Sequence, residues 1–289
     1  MKPSSSADAQ QRESVSEAID LGAYFERIGY HGPWVPSFEV LQALMRRHMA
    51  SIPFEAVDVM LGEGVDLDPV AVDRKMIHGG RGGYCFEHTS LFRRALQALG
   101  FALEPHLARV WIHGGSHAPA ATHASLKVEV NGRLWLVDVG FGGFLSSQPL
   151  AWRPDQAQHT AFGTFRLVET RDGYMLENRY QEGWWPLYEI LDFDWQPIDF
   201  EMANHYVATH PRSLFKRELM IARTEDEVRY SLSNNRFTTR FAHGMTQERV
   251  LDETALAETL AATFGLPVGD TWQAMIAAIV ARGDGGGDG

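Results

Sequence analysis

The chain has 289 residues, 45% of them hydrophobic, which is enough for two or three packed units in one protein. With 37 Asp and Glu against 26 Lys and Arg, its net charge of −11 argues against a nucleic-acid partner, which needs clustered cations to displace counterions from phosphates. No apolar run approaches the ~18 residues of a spanning helix, Met1 to Ser16 lacks an apolar targeting core, and the single cysteine, Cys85, cannot form an internal disulfide; a cytoplasmic protein with no membrane partner is expected.

Residues 1–16 have the composition of a disordered tail. Residues 17–100 read as a helical unit: one helix stops at Gly29, a second runs from a Ser37 cap toward Pro53, and a third ends at Gly100. In the third, Leu91, Phe92, Ala95, Leu96 and Leu99 form one apolar stripe that faces a core. Over 101–205 the pattern turns to alternation, with turn signals at Asn131-Gly132, Arg171-Asp172-Gly173 and Gln181-Glu182-Gly183, so a mostly antiparallel β region is expected, with a barrel among its options. The aromatic stretch EGWWPLYEILDFDW is read as filling that β core. Residues 206–225 read as a connector. Residues 226–282 combine short strands around Asn234-Asn235 with two capped helices closed by Gly265 and Gly283, and 283–289 is a flexible Gly/Asp tail. The fold class is α+β: helices, then strands, then a small α/β unit.

The segment HGGRGGYCFEHTS, His78 to Ser90, raises two readings. A phosphate loop needs G-x-x-x-x-G-K-[ST], or G-x-G-x-x-G after a parallel strand; neither pattern is met, and VDRKMI before the glycines is a poor buried strand. The other reading is a sharp turn that delivers Cys85 to the start of the third helix, where unpaired N–H groups and the helix dipole favour a thiolate. An inert buried cysteine is the competing reading, and it weakens if the fold supplies a base with a residue to orient it.

THASLKVEVNGRLWLVDVGFGG supplies such a pair. Asn131-Gly132 between alternating runs predicts a two-residue hairpin turn that pairs Val130 with Arg133. Counting back, Ser125 faces Asp138, and His123 becomes the diagonal neighbour of Asp138, within reach of a hydrogen bond. The carboxylate would fix the imidazole tautomer and leave the other ring nitrogen for a thiol. No H-E-x-x-H, C-x-x-C or G-x-S-x-G occurs, so neither a metal centre nor a serine hydrolase is expected. His88, one turn along from Cys85, is open to either tuning the thiolate or capping.

IPFE at Ile52 to Glu55, RGGYCFEH at Arg81 to His88, THASLKV, WLVDVGFGG and ANHYVATHPRSLF at Ala203 to Phe215 together resemble the arylamine N-acetyltransferases. The resemblance implies an N-terminal helical bundle, a central antiparallel β-barrel and a C-terminal α/β lid, with a Cys-His-Asp triad of cysteine-protease-like arrangement where the first two meet. Cys85 would be the acetylated nucleophile, His123 its base and Asp138 the orienter. Acetyl-CoA would be the co-substrate of a ping-pong reaction with arylamines, arylhydrazines or N-hydroxyarylamines. Arg81 and Glu55 match the family's structural ion pair, and Phe141, Val110 and Gly140 match positions near the acceptor pocket. Ala56 and Thr89 depart from the family's usual Asn at those places. A natural-product amide synthase using a larger acyl thioester, and a cysteine hydrolase, are alternatives in the same arrangement; a homodimer is one option for the assembly.

Overall fold

The computed structural model describes residues 18–112 and 114–284, so the tail expected over 1–16 and the last residues of 283–289 lie outside the described residues. The first helix, α1 (Leu21–Ile28), starts from an Asp20 side chain that accepts from Ala23 N and stops at Gly29, whose φ of 62° is the left-handed conformation a helix end uses. The second, α2 (Phe38–Ser51), begins at Ser37 as expected. A two-residue strand, β1 (Phe54–Glu55), and two short helices, α3 (Val57–Leu61) and α4 (Pro69–Asp73), follow; α4 runs on into a π-turn over Arg74–His78. The helix expected to end at Gly100 is α5 (Cys85–Ala98). Its stripe of Leu91, Phe92, Ala95 and Leu96 is fully buried against α1 and α2 and the near face of the sheet that follows.

That sheet has eight strands: β2 (Ala102–Val110), β3 (Ala121–Val130), β4 (Arg133–Val137), β5 (Leu150–Ala151), β6 (Gln158–Thr160), β7 (Gly163–Glu169), β8 (Gly173–Tyr180) and β9 (Gly183–Leu191). Their order is β5-β4-β3-β2-β9-β8-β7-β6 and every pairing is antiparallel, which makes a nearly closed barrel. The Gln158 side chain joins the two edges: its amide accepts from Ala151 N at 2.7 Å and donates to Ala151 O at 2.8 Å. Inside lie Leu136, Leu150, Phe165, Leu167, Tyr188 and Ile190. The aromatic stretch fills this core only in part. Tyr188 is buried, but Trp185 and Phe193 are about half exposed, because strand alternation and the loop after β9 turn them outward.

The next element is a helix that the sequence reading places in barrel and connector, α6 (Pro197–Thr209), with Pro at its first turn and Asp199 accepting from Gln196 N. The lid sheet then gathers β10 (Met220–Thr224), β11 (Val228–Ser233), β12 (Arg236–Phe241) and β13 (Thr246–Val250) around the Asn234 turn, and β1 joins it beside β10. The lid sheet therefore draws on residues well outside 226–282. A two-residue strand carries no periodicity, so its long-range partner is invisible in sequence. Helices α7 (Glu253–Ala262) and α8 (Asp270–Asp284) cover one face of this sheet through Leu256, Leu260, Trp272 and Ile276. Helix α8 continues through Gly283 rather than closing there. Among the described residues no helix is long and apolar enough to cross a membrane.

Candidate active site

The glycines of the loop before α5 serve close packing. A Cβ on Gly82 would sit 2.0 Å from the Pro53 carbonyl oxygen, and one on Gly83 would sit 2.9 Å from Glu87. Gly83 N donates to Pro53 O at 3.3 Å and Gly83 O accepts from Glu55 N at 2.8 Å, so the loop extends β1. Chain direction then brings Tyr84 to the cap of α5, where its N–H donates to Glu87 Oε2 at 3.0 Å. The segment ahead of the glycines is a helical turn, not the strand that a phosphate loop requires.

Cys85 occupies the first helical position, buried, with its Sγ 3.6 Å from the Thr122 carbonyl. Residue 123 is the next along that strand. The β3–β4 ladder has the register expected from the turn, from Val130–Arg133 to Leu126–Val137. Just past its end His123 Nε2 meets Asp138 Oδ2 at 2.7 Å, and Asp138 Oδ1 accepts from Gly140 N at 2.8 Å. The carboxylate accepts, so Nε2 carries the imidazole proton and Nδ1 keeps its lone pair. Thr89 ties the two elements together by donating to Ala124 O at 3.1 Å, a bond made by one of the departures from the family pattern.

The helix start alone does not give a depressed thiol. Burial and then the Asp138 charge push the Cys85 thiol up, and the N–H groups of Phe86 and Cys85 offset only part of this. The thiol in this pocket ionises only if its proton has somewhere to go.

Cys85 and His123 line one cavity of about 570 Å³, which Val110, Gly140 and Phe141 also line. The Phe141 ring lies 4.8 Å from His123. Sequence reading missed Tyr188, whose ring lies 4.8 Å from His123 and 4.7 Å from Phe141. Its signal was hidden in an aromatic run that any β core could use. Burial and Asp138 push its phenol well above the usual tyrosine range, so it stays neutral beside the imidazole.

Arg81 and Glu55 lie beneath the cavity rather than in it. Arg81 Nε donates to Glu55 Oε1 at 2.8 Å and Nη2 to Asp58 Oδ1 at 2.6 Å, while Lys75 Nζ bridges Asp58 and Glu87 at 2.7 Å each. Burial pushes the Glu87 carboxyl up to about 7, and Lys75 pulls against that shift. This network fixes the cap of α5 from below. From above, Tyr84 donates to Asn204 Oδ1 of α6, and Asn204 Nδ2 donates to Val65 O at 3.0 Å. Among the described residues no cluster of His, Cys, Asp and Glu is arranged to hold a metal ion.

Behind Cys85 runs a buried chain of hydrogen bonds. His88 Nε2 lies 3.2 Å from Pro53 O, His88 Nδ1 lies 2.7 Å from His48 Nε2, and His48 Nδ1 lies 2.9 Å from Tyr24 OH. Pro53 O can only accept, so every proton in the chain is assigned: Tyr24 donates to His48, His48 to His88, and His88 to Pro53. Neither ring has a lone pair left for another proton. Burial accordingly pushes His88 down to about 4 and His48 well below the ordinary value of 6.5. The unfolded chain therefore binds more protons than the fold between pH 6.5 and 4, and stability complete above pH 6.5 is lost as pH falls through that window. His88 alone should remove about 2 kcal/mol between pH 7 and 5. Urea titrations at the two pH values should show this loss, with a smaller loss in His88→Gln; equal slopes in parent and variant would exclude the assignment.

A family model described as N-acetyltransferase matches residues 37–273. The arylamine N-acetyltransferase of Mycobacterium tuberculosis is 38% identical over 258 residues, covering 88% of this chain and 91% of that one. The arylamine N-acetyltransferase / N-hydroxyarylamine O-acetyltransferase of Salmonella typhimurium is 36% identical over 270 residues, covering 91% and 96%. Among solved structures, Mycobacterium marinum arylamine N-acetyltransferase in complex with CoA superposes with a TM-score of 0.85 at 33% identity, over 91% of this chain and 99% of that one. Sequence similarity and fold agree over nearly the whole length, and on that ground the chain belongs to the arylamine N-acetyltransferase family.

Proposed function

We propose that this protein moves an acetyl group from acetyl-CoA, through a thioester on Cys85, to the nitrogen of arylamines and arylhydrazines or the oxygen of N-hydroxyarylamines. The observation that carries this reading is the 2.7 Å His123–Asp138 bond on the wall of the cavity that Cys85 lines. It leaves Nδ1 as the base.

The high cost of ionising the buried thiol by itself makes the reaction depend on that base. His123 takes the Cys85 proton, and the resulting imidazolium is held by Asp138 while the first N–H groups of α5 stabilise the thiolate. Sγ then bonds to the thioester carbonyl carbon, the carbon–sulfur bond to CoA breaks, and the departing thiolate takes the proton back from His123. In the second half an amine attacks the acetyl carbon, gives its proton to His123, and displaces Cys85, which is reprotonated. Phe141, which lines the cavity, offers an aromatic surface to a flat acceptor beside the imidazole, and the buried Tyr188 packs against both Phe141 and His123. A reaction run through one unprotected thiol suits a reducing compartment such as the cytoplasm.

Mass spectrometry of the intact protein after incubation with acetyl-CoA alone should show one acetyl group, mapped to Cys85, that an arylamine removes as the N-acetyl product. Product formation by protein that never carries the acetyl group would rule out the thioester route. Loss of the acetyl group to water as fast as to amine would point to a hydrolase.

A further inference from the structure

The turn that follows Asp138 is fastened at its two ends by different parts of the chain. At the near end Gly140 N donates to Asp138 Oδ1 at 2.8 Å, and Gly140 packs on the Cys85 backbone with no space for a Cβ. Phe141 comes next, its ring against His123, and the chain then makes a short helical turn, Gly142–Phe144, that rests on β10 and β11 of the lid. At the far end a lid side chain takes hold. Arg229 of β11 donates from Nη1 to Gly143 O at 2.9 Å and from Nη2 to Leu145 O, while its Nε donates to Thr224 Oγ1 at 3.0 Å. The same guanidinium lies over the Phe162 ring, 4.5 Å from its centroid, in the connection between β6 and β7.

Stability alone does not account for an arginine here. Arg229 is only 3% exposed, among the described residues no carboxylate pairs with it, and across the ladder it stands directly opposite Arg240. A buried cation without an anion costs free energy, and like charges opposite one another destabilise a sheet. An unbranched apolar side chain such as Met would fill the same space without either penalty. What Met lacks is the planar fork of donors that engages two carbonyls at once. The lid has little use for that fork, because β11 is already paired along its length with β10 and β12. The turn does have a use for it, since residues 141–145 belong to no strand.

We propose that Arg229 is a positioning residue for the acceptor: it fixes the Gly143–Leu145 end of the turn and so holds the Phe141 ring beside His123, as the wall against which a flat acceptor lies. The inference rests on the acetyl-transfer reading given above. Because the Gly140 end is anchored separately, loss of the fork frees Phe141 and leaves thiol, imidazole and carboxylate in place. Preference for aromatic amines over small nucleophiles then depends on a lid residue whose three guanidinium nitrogens are all engaged by the protein itself.

Single turnovers of the acetylated protein, made with acetyl-CoA and freed of CoA by gel filtration, test this against 4-methoxyaniline and against hydrazine, which has no ring. In Arg229→Met the 4-methoxyaniline concentration giving half-maximal rate should rise about tenfold, the order of one aromatic contact, with the maximal rate and the hydrazine reaction within about twofold of the parent. Arg229→Lys keeps the charge but serves one carbonyl, so it should fall between the two, and it carries the same comparison if the Met variant does not fold. In a Phe141→Leu background the effect of Arg229→Met on 4-methoxyaniline should vanish. A merely structural role would slow both nucleophiles by one common factor. That result overturns the proposal, as does an unchanged half-saturation in both variants or a full effect that persists without the Phe141 ring. If the parent takes no acetyl group from acetyl-CoA, the acetyl-transfer reading itself fails; acetylation with unchanged half-saturation removes only the role of Arg229.

Discussion

Cys85→Ser should lower arylamine acetylation by on the order of 10⁴-fold or more while leaving the fold in place. The substitution keeps the size and position of the nucleophile and changes only its acidity and softness. Burial and Asp138 already oppose an anion at this position, so a hydroxyl, far more basic than a thiol, would place a still larger demand on His123. The measurement is steady-state transfer from acetyl-CoA to an arylamine, with circular dichroism to confirm folding. A second readout separates the thiol from its base. Iodoacetamide should alkylate the parent with a pH profile set by the Cys85–His123 pair, and His123→Ala should react only at higher pH, where the unaided thiol ionises. Activity in Cys85→Ser within about tenfold of the parent would remove the thiol from the chemistry.

Gly140→Ala tests the packing that holds the site. The added methyl carbon would lie 2.8 Å from Cys85 Cα and 3.1 Å from Cys85 O, and both are backbone atoms that no rotamer can move aside. The turn after β4 must therefore retreat from the start of α5. That retreat carries Asp138 with it, because Gly140 N is bonded to Oδ1. A displacement near 1 Å at a catalytic contact costs about 10²-fold in rate, and overpacking of this kind costs about 1–3 kcal/mol of stability. The expected result is a fall of about that size in kcat/KM together with a lower Tm. Gly269→Ala is the control, since nothing lies within 4 Å of its added carbon. Equal activity in the two variants would show that Gly140 does not set the distance between turn and helix.

The hairpin that carries His123 and Asp138 was legible because two local rules determine it. Asn131 and Gly132 adopt the positive φ values of 52° and 70° that the turn demands, and strand alternation then fixes every partner back to Leu126. The ends of α1 and α2 were legible for the same reason: a cap is written within a few residues of the helix it serves. What escaped the sequence depends on distant residues. The Gly82 approach to Pro53 spans the α3–α4 segment, the lid sheet recruits Phe54 and Glu55 from the other end of the chain, and the arginine pair becomes visible only once β11 and β12 are in register. Helix α6 is a different case. Pro197 and Asp199 are ordinary helix-start signals, but they follow an aromatic strand so closely that the segment reads as its continuation. The opposing pull on the Cys85 thiol was hidden as well, because a helix start acts locally, whereas burial is a property of the whole fold.

The Gln158 amide that spans β5 and β6 has a consequence for how the barrel moves. Every other junction is a ladder of backbone bonds, and this one rests on side chains: two bonds from Gln158 and a long one of 3.5 Å from Gln148 Nε2 to His159 O. At about 1 kcal/mol net per hydrogen bond, the seam is held by roughly 2 kcal/mol, a small fraction of what a full ladder and its core contribute. Thermal opening of the wall should therefore begin between Ala151 and Gln158, at the free edge of β5, the strand beside β4 of the His123 hairpin, and amide exchange of Ala151 reports its frequency. The hairpin that holds imidazole and carboxylate has its own backbone ladder from Leu126–Val137 to Val130–Arg133, so the barrel can breathe at this hinge while that hairpin stays shut.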